Sequence, residues 1–226
     1  MTADITSETA CCPSPAASAE PAPFAGIANE LPAEAGRVRS AGFAVLRRGA
    51  AATPADLAAS TALTTNTVIE VLEAMADRGA VELDADGNVI GIGGLSLVPT
   101  RHQLELDGVR LHTWCAVDAL GIPAALEASA VARLRCTHCE QQIHVVFEQG
   151  SPGGSATVVT WFPHVTPTNV RRDFCDVANV FCSPAHLDAW RDAAGRPPGD
   201  TLTLAEVAER GRIIWANDAA FTPVRT

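Results

Sequence analysis

A chain of 226 residues, with 47% hydrophobic and 19% charged residues, is long enough for one large or two small folded domains. Its net charge is -10 at pH 7 and all its basic residues are arginine, which argues against nucleic acid or an anionic membrane as a partner. No segment approaches the roughly 18 apolar residues of a membrane-spanning helix, and the acidic segment 1–10 lacks the pattern of a signal peptide. Because the 7 cysteines should then stay reduced, we expect a cytoplasmic protein with free thiols.

Residues 1–35 are rich in alanine, proline, serine and glutamate, a composition typical of a disordered arm. The arm contains the adjacent thiols of Cys11 and Cys12. Two interpretations of this pair stay open. The thiols are either inert and exposed, or they form a flexible collector that passes a soft metal ion to the folded core.

Residues 36–99 have the element order of a winged-helix domain. Helices are predicted over 36–48, 54–60 and 64–78, and strands over 81–83 and 89–92 flank a turn-rich hairpin loop. The third helix carries Glu70, Glu73 and Asp77 against a single Arg78. A DNA-recognition helix needs basic residues, so we interpret this domain as a packing module.

Residues 100–226 predict a catalytic domain that mixes helices with short, mostly antiparallel strands. A strand is predicted over 95–98, just before this domain; within it, strands are predicted over 104–106, 109–114, 130–134, 143–147 and 157–162, and helices over 115–126, 184–192 and 204–210. The predicted fold class is therefore α+β: an N-terminal winged-helix-like three-helix domain followed by a mixed, mostly antiparallel sheet and helix domain.

The stretch Trp114-Cys115-Ala116-Val117-Asp118 contains the most informative pair of residues. Positions three apart share one face of a helical turn, so Cys115 can supply a thiolate and Asp118 a proton at one point. Cys175 can bring a second thiol. Two thiols and one carboxyl suit the cleavage of a carbon–metal bond on a soft metal. The alternative is that Cys115 is merely a small buried hydrophobic residue.

A zinc site is the second chemical interpretation of the cysteines. Cys136 and Cys139 form a CxxC pair, which is a common half of a structural zinc site. Cys175 and Cys182 make a poor second half, because their spacing is longer than the spacing usual in zinc sites. His138 or His186 can substitute for one of the thiols.

The chain resembles the alkylmercury lyase family of bacterial mercury resistance. The resemblance rests on the segments 53–58 and 86–91, and more strongly on 114–118, His138-Cys139 and Phe174-Cys175. It implies that Cys115, Asp118 and Cys175 are the catalytic set, that the thiol of Cys139 is structural, and that a winged-helix-like domain joins a unit of antiparallel sheets and helices. The chain departs from the family at Asp176 and Val177, where many members carry a second cysteine and a histidine.

The resemblance implies protonolysis of the carbon–mercury bond of an organomercurial, giving a hydrocarbon and Hg(II) bound by Cys115 and Cys175 beside Asp118. Mercury is then substrate and product, so no cofactor is expected. External thiol is needed for release, with small thiols or mercuric reductase as the Hg(II) acceptor. Asp118 must be protonated to act, so burial or a neighbouring thiolate must raise its pKa above the usual ~3.9.

Two other functions stay open from the sequence. One is a winged-helix metal-sensing regulator, with Cys136, Cys139, Cys175 and Cys182 as its sensor. The other is a zinc-stabilised, non-catalytic relative. Zinc bound to the purified protein would favour these two alternatives, whereas release of a hydrocarbon from an organomercurial would favour the lyase.

Overall fold

The computed structural model describes residues 30–192 and 196–224. The predicted arm up to residue 29, with Cys11 and Cys12, lies outside the described residues. The described α-helices are α1 (Ala35–Leu46), α2 (Pro54–Thr61), α3 (Thr65–Asp77), α4 (Ala116–Ala125), α5 (Pro184–Arg191), α6 (Leu204–Ile214) and α7 (Ala216–Ala219). The strands are β1 (Val81–Leu83), β2 (Val89–Ile92), β3 (Leu95–Ser96), β4 (His102–Leu106), β5 (Val109–Thr113), β6 (Ala130–Arg135), β7 (Gln142–Glu148), β8 (Ser151–Gly153), β9 (Val159–Pro163), β10 (Val180–Phe181) and β11 (Gly199–Thr203).

Local sequence signals determine where the first helices begin. At the start of α2, Thr53 Oγ1 accepts the Asp56 N–H at 3.1 Å, and Pro54 occupies the first turn. At the start of α3, Thr64 Oγ1 accepts the Thr67 N–H at 3.1 Å. Helix α3 buries one face at helical spacing, formed by Val68, Val71, Leu72 and Met75. These helix predictions are confirmed to within a few residues.

One eight-stranded sheet runs through most of the chain in the order β1-β2-β3-β5-β4-β6-β7-β8, and its neighbouring strands are antiparallel. The predicted α+β class is confirmed. The β1–β2 hairpin forms one edge of this sheet, and β3 pairs with β5 through Leu95 and Thr113. The sheet therefore crosses the predicted boundary between 36–99 and 100–226. That boundary and the winged-helix identity of the first three helices stay predictions.

A second sheet of three strands has the antiparallel order β10-β9-β11. Strand β11 pairs with β9 along its whole length, and β8 extends the large sheet beyond β7. Neither β8 nor β11 was predicted, because both contain glycine and polar residues and lack a clear alternation of apolar and polar side chains. Their pairing depends on partner strands that lie elsewhere in the sequence.

Helix α4 lies in the centre of the molecule, and every residue from Ala116 to Ala124 is buried. A helix that packs on all sides is apolar almost all round, and Asp118 is the one charged residue of α4. Gly121 of α4 faces Gly211 of α6, and neither position has room for a Cβ. Among the described residues, no helix combines the length and hydropathy needed to cross a bilayer.

Candidate active site

Cys115 and Asp118 occupy the N-terminus of α4. Cys115 is the N-cap residue, with an extended backbone, and Asp118 is the third residue of the helix. The Cys115 N–H donates to Asp118 Oδ2 at 2.8 Å, while the Cys115 thiol faces the Asp118 N–H. This reciprocal capping arrangement holds the thiol and the carboxyl on the same side of the first turn. The structure therefore brings the two residues together, as the sequence predicted.

Cys175 ends a π-helix, Val170–Cys175, which the sequence did not predict. Asn169 caps it by accepting the Arg172 N–H at 3.0 Å. The wider turn, with its hydrogen bonds between residues five apart, is rare and is often found at functional sites. After Cys175, the carbonyl of Ala178 accepts the N–H of Ala116 at 3.3 Å. This contact ties the chain after the second thiol to the start of α4.

The thiols of Cys115 and Cys175 and a carboxylate oxygen of Asp118 lie within 4.8 Å of one another. All three side chains are buried, with exposed fractions of 0% for Cys115, 7% for Cys175 and 6% for Asp118. Burial alone does not distinguish a structural cysteine from a reactive one. Two thiols that converge on one carboxyl, however, can bind a soft metal ion and hold a proton beside it.

Burial raises the pKa of Asp118 to about 7, although hydrogen bonds to Cys115 and the charges of Arg39 and Arg171 lower it in part. The pKa of Cys115 lies well above its usual value, because of burial, its hydrogen bond to Cys175 and the charge of Asp118. The pKa of Cys175 is also raised: its hydrogen bond to Cys115 lowers it, but burial and the charge of Asp118 outweigh this. The carboxyl can thus hold a proton near neutrality, as the predicted acid requires.

Gly94 covers Asp118 from the turn before β3. Its φ is +89°, and a Cβ at this position would lie 2.6 Å from Asp118 Cγ. The neighbouring carbonyl of Gly93 accepts the indole N–H of Trp215 at 2.7 Å, which fixes the turn. Only glycine combines this φ with so close an approach. No motif in the sequence predicted this role of Gly94, although an isolated glycine near a strand can signal a close approach of the backbone.

Glu82 and Arg171 form a polar support beside the site. Glu82 accepts the indole N–H of Trp114 at 2.9 Å and the hydroxyl of Ser96 at 2.7 Å, and it pairs with Arg171. The Arg171 guanidinium lies 5.5 Å from the centre of a Trp114 ring. This support joins β1, β3 and the π-helix to Trp114, the residue before Cys115. No local sequence signal identified it, because its members are far apart in the chain.

The pH dependence of stability provides a test of the Asp118 environment. The folded-state pKa of about 7 is above the usual value of 3.8, so the folded protein binds more protons between these pH values. Asp118 therefore destabilises the fold progressively as pH rises through this window, by roughly 4 kcal/mol once pH exceeds 7. Asp118→Asn removes this titration but retains an oxygen that can accept the Cys115 N–H.

We expect the free energy of unfolding of wild type, relative to Asp118→Asn, to fall between pH 5 and pH 8. Denaturant unfolding of both proteins at each pH measures the difference and cancels the contribution of other titrating groups. A difference that stays constant across this range would contradict a raised pKa for Asp118.

The remaining candidate ligands form a second cluster of Cys136, Cys139, Cys182 and His186, whose ligand atoms lie within 4.8 Å of one another. The alternative zinc site, in which Cys175 was one of four thiolate ligands, is therefore wrong about Cys175. The packing of the π-helix places Cys175 with Cys115, and His186 takes the fourth position in the second cluster. His138 is exposed and is not a member, although its ring lies 4.7 Å from that of His186.

Comparison with known proteins identifies one family. The alkylmercury lyase (MerB) family model matches residues 95–215. Curated alkylmercury lyases from Bacillus cereus and Staphylococcus epidermidis are 31% and 32% identical, over 75% and 71% of this chain and 77% and 73% of theirs. A solved structure described as the mercury-bound form of MerB2 superposes with a TM-score of 0.78 and 26% identity, covering 85% of this chain and 95% of that one.

Proposed function

The chain belongs to the alkylmercury lyase family, and from this membership we propose that Cys115, Cys175 and Asp118 cleave the carbon–mercury bond of organomercurials by protonolysis. The observation that supports this assignment most directly is the convergence of two thiols with a carboxyl whose pKa is about 7. The membership also bears on one of the alternatives left open by the sequence. It favours a lyase over a metal-sensing regulator.

In the first proposed step, one thiol of the pair binds the organomercury cation R–Hg⁺ and loses its proton, so that a sulfur–mercury bond forms. Mercury is a soft metal and prefers thiolate to the oxygen ligands of water or carboxylate. The raised pKa of both thiols means that the proton leaves only as mercury binds. This coupling keeps the pair protonated until substrate arrives.

In the second proposed step, the carboxylate of Asp118 takes the proton of the other thiol, and the resulting thiolate attacks mercury. Donation from two sulfurs raises the electron density on the carbon bound to mercury. Asp118 then gives its proton to that carbon as the carbon–mercury bond breaks, so the electron pair of that bond forms the new C–H bond. The balance is R–Hg⁺ plus two thiols, giving R–H, a mercury dithiolate and one proton. Asp118 acts first as base and then as acid.

Product release requires an external thiol, because the bound Hg(II) leaves only by exchanging one pair of sulfur ligands for another. We propose small cellular thiols or a mercuric reductase as the acceptor. No cofactor takes part in these steps, since the metal is the substrate. The need for a pool of reduced thiols favours the cytoplasm as the compartment.

The direct test of this function is cleavage of phenylmercury by the purified chain in the presence of excess small thiol. We expect one benzene released per Hg(II) formed, measured by gas chromatography. In D₂O the benzene should carry one deuterium, because the transferred proton comes from exchangeable groups. Protein that binds phenylmercury stoichiometrically but releases no benzene would be a non-catalytic relative, which contradicts the proposal.

Gly94→Ala provides a test of the position of the Asp118 carboxyl. The new Cβ would lie 2.6 Å from Asp118 Cγ, so the carboxyl must leave its position beside the two thiols. A misplacement of about 1 Å can cost 10²-fold in rate, and we expect a fall of about that size. Positive φ adds strain of about 1–2 kcal/mol, measured by denaturant unfolding.

Gly87→Ala is the matched control for this substitution. Gly87 has a similar φ of +79°, but a Cβ there would meet nothing within 4 Å. The Gly87→Ala variant should lose a comparable amount of stability and keep the cleavage rate of wild type. An equal loss of rate in both variants would show that strain, and not the position of Asp118, causes the effect.

A further inference from the structure

The second cluster has the composition and spacing of a structural metal site. Cys136 and Cys139 are a CxxC pair in the turn between β6 and β7. Within this turn, the Cys136 N–H donates to the Gln141 carbonyl and the Cys136 carbonyl accepts the Glu140 N–H, both at 2.9 Å. A tight turn of this kind brings the two thiols to the same side. It supplies half of a zinc-binding ligand set.

The second half comes from the start of α5. Cys182 lies directly before Ser183, the N-cap residue, whose hydroxyl accepts the His186 N–H at 3.3 Å. The cap turns the first helical residues back toward the end of β10, so His186 Nδ1 lies 3.1 Å from Cys182 Sγ. Three residues separate Cys182 from His186, which is within the spacing usual for zinc ligands. The four ligands are thus two local pairs, each held by backbone hydrogen bonds.

Two of the three distances between ligand atoms match the edges of a tetrahedral site, and the third, 3.1 Å between Cys182 Sγ and His186 Nδ1, is shorter than such an edge. Cys139 Sγ and Cys182 Sγ lie 3.7 Å apart, and Cys136 Sγ lies 3.7 Å from His186 Nδ1. Bonds of about 2.3 Å to sulfur and 2.0 Å to nitrogen give tetrahedral edges of roughly 3.5–3.8 Å. The three cysteines are free thiols, and the set contains no acidic group.

We propose that Cys136, Cys139, Cys182 and His186 bind one zinc ion that cross-links the two sheets. Three thiolates and one imidazole form a closed ligand set, which is typical of structural zinc and leaves no position for substrate. The same junction is already joined by the Thr137 N–H, which donates to the Val180 carbonyl at 3.0 Å, and by Thr137 Oγ1, which donates to Asn179 Oδ1 at 3.1 Å. The metal stabilises this junction.

The junction lies close in sequence to the proposed catalytic thiol. Strand β10 begins at Val180, shortly after the π-helix that ends with Cys175. A metal ion that fixes the end of β10 therefore limits the movement of the segment carrying Cys175. Cys175 itself is not a ligand, so the zinc site and the proposed catalytic site are separate. Bound zinc is thus compatible with lyase activity.

The experiment is zinc analysis of reduced, untagged protein purified from zinc-replete cells without chelator. We expect about one zinc per chain in wild type. Cys182→Ser and His186→Asn should lose it, and neither change removes a fully buried core thiol, as Cys136→Ser would. His138→Asn is the matched control, because His138 stacks on His186 but lies outside the set. It should retain zinc.

Two further measurements separate this site from the catalytic one. Cys175→Ser should retain zinc, so failure of the proposed lyase chemistry would not remove the metal. Cobalt(II) added to metal-free wild type should give thiolate-to-metal absorption, which His186→Asn should alter and Cys175→Ser should not. A chelator should lower the melting temperature of wild type and not that of Cys182→Ser.

Three results would overturn the proposal. The first is zinc-free wild type that also fails to bind added zinc. The second is zinc that persists undiminished in both Cys182→Ser and His186→Asn, since the ion would then lie elsewhere. The third is a cluster that takes up Hg(II) but neither zinc nor cobalt, which would make it a mercury-handling site.

Discussion

Replacing either Cys115 or Cys175 by serine should abolish the release of benzene from phenylmercury. A serine hydroxyl is a hard ligand that stays protonated near neutrality, so it cannot replace a thiolate on a soft metal. The lone remaining thiol can still bind R–Hg⁺, but it cannot supply the second sulfur that activates the carbon. We therefore expect each single variant to produce no hydrocarbon above background, measured by gas chromatography.

Ala119→Ser is the control for placing a hydroxyl in a buried position. Ala119 lies in the same helix as Asp118 and is fully buried, but it contributes no group to the site. Its substitution should cost stability, about 1–3 kcal/mol for a buried polar group, while cleavage continues. A Cys115→Ser or Cys175→Ser protein that melts normally and still turns over would remove that thiol from the proposed mechanism.

Asp118→Ala should act differently from the thiol substitutions, because both sulfurs remain. Mercury should still bind to the pair, but the carbon has no positioned proton donor. General acid–base groups contribute typically 10²–10⁴-fold, so we expect the cleavage rate to fall by about that factor. Single-turnover measurements with stoichiometric phenylmercury separate this chemical step from binding and from release of Hg(II).

The Asp118→Asn variant separates the role of Asp118 as proton donor from its role in capping the helix. Asp118 also accepts the Cys115 N–H, so alanine removes both the proton donor and a contact that orients the thiol. Asparagine retains an acceptor at the same place and cannot transfer the proton. If the carboxyl is the acid, the two variants should lose similar amounts of rate. Recovery of most of the rate in Asp118→Asn would instead assign Asp118 a positioning role only.

Features that depend on residues close together in the chain could be predicted from the sequence. Thr53 and Thr64 cap their helices through backbone groups three residues ahead, and Cys115 and Asp118 face each other across one helical turn. Such contacts form whenever the local backbone adopts its helical dihedral angles, since their geometry is set within a few residues. The apolar alternation of 130–134 and 143–147 likewise predicted strands β6 and β7, which pair as a hairpin with Cys136 and Cys139 in the turn.

Contacts between groups that are distant in the chain depend on the three-dimensional packing and could not be predicted from spacing. Cys175 joins Cys115 through a π-helix and the packing of the segment that follows, and His186 completes the second cluster that the sequence had assigned in part to Cys175. The raised pKa of Asp118 has the same origin, because desolvation comes from surrounding elements such as the Gly94 turn. Spacing along a chain restricts neighbours only over a few residues. Beyond that, the burial of apolar surface and the pairing of strands determine the distance between two side chains.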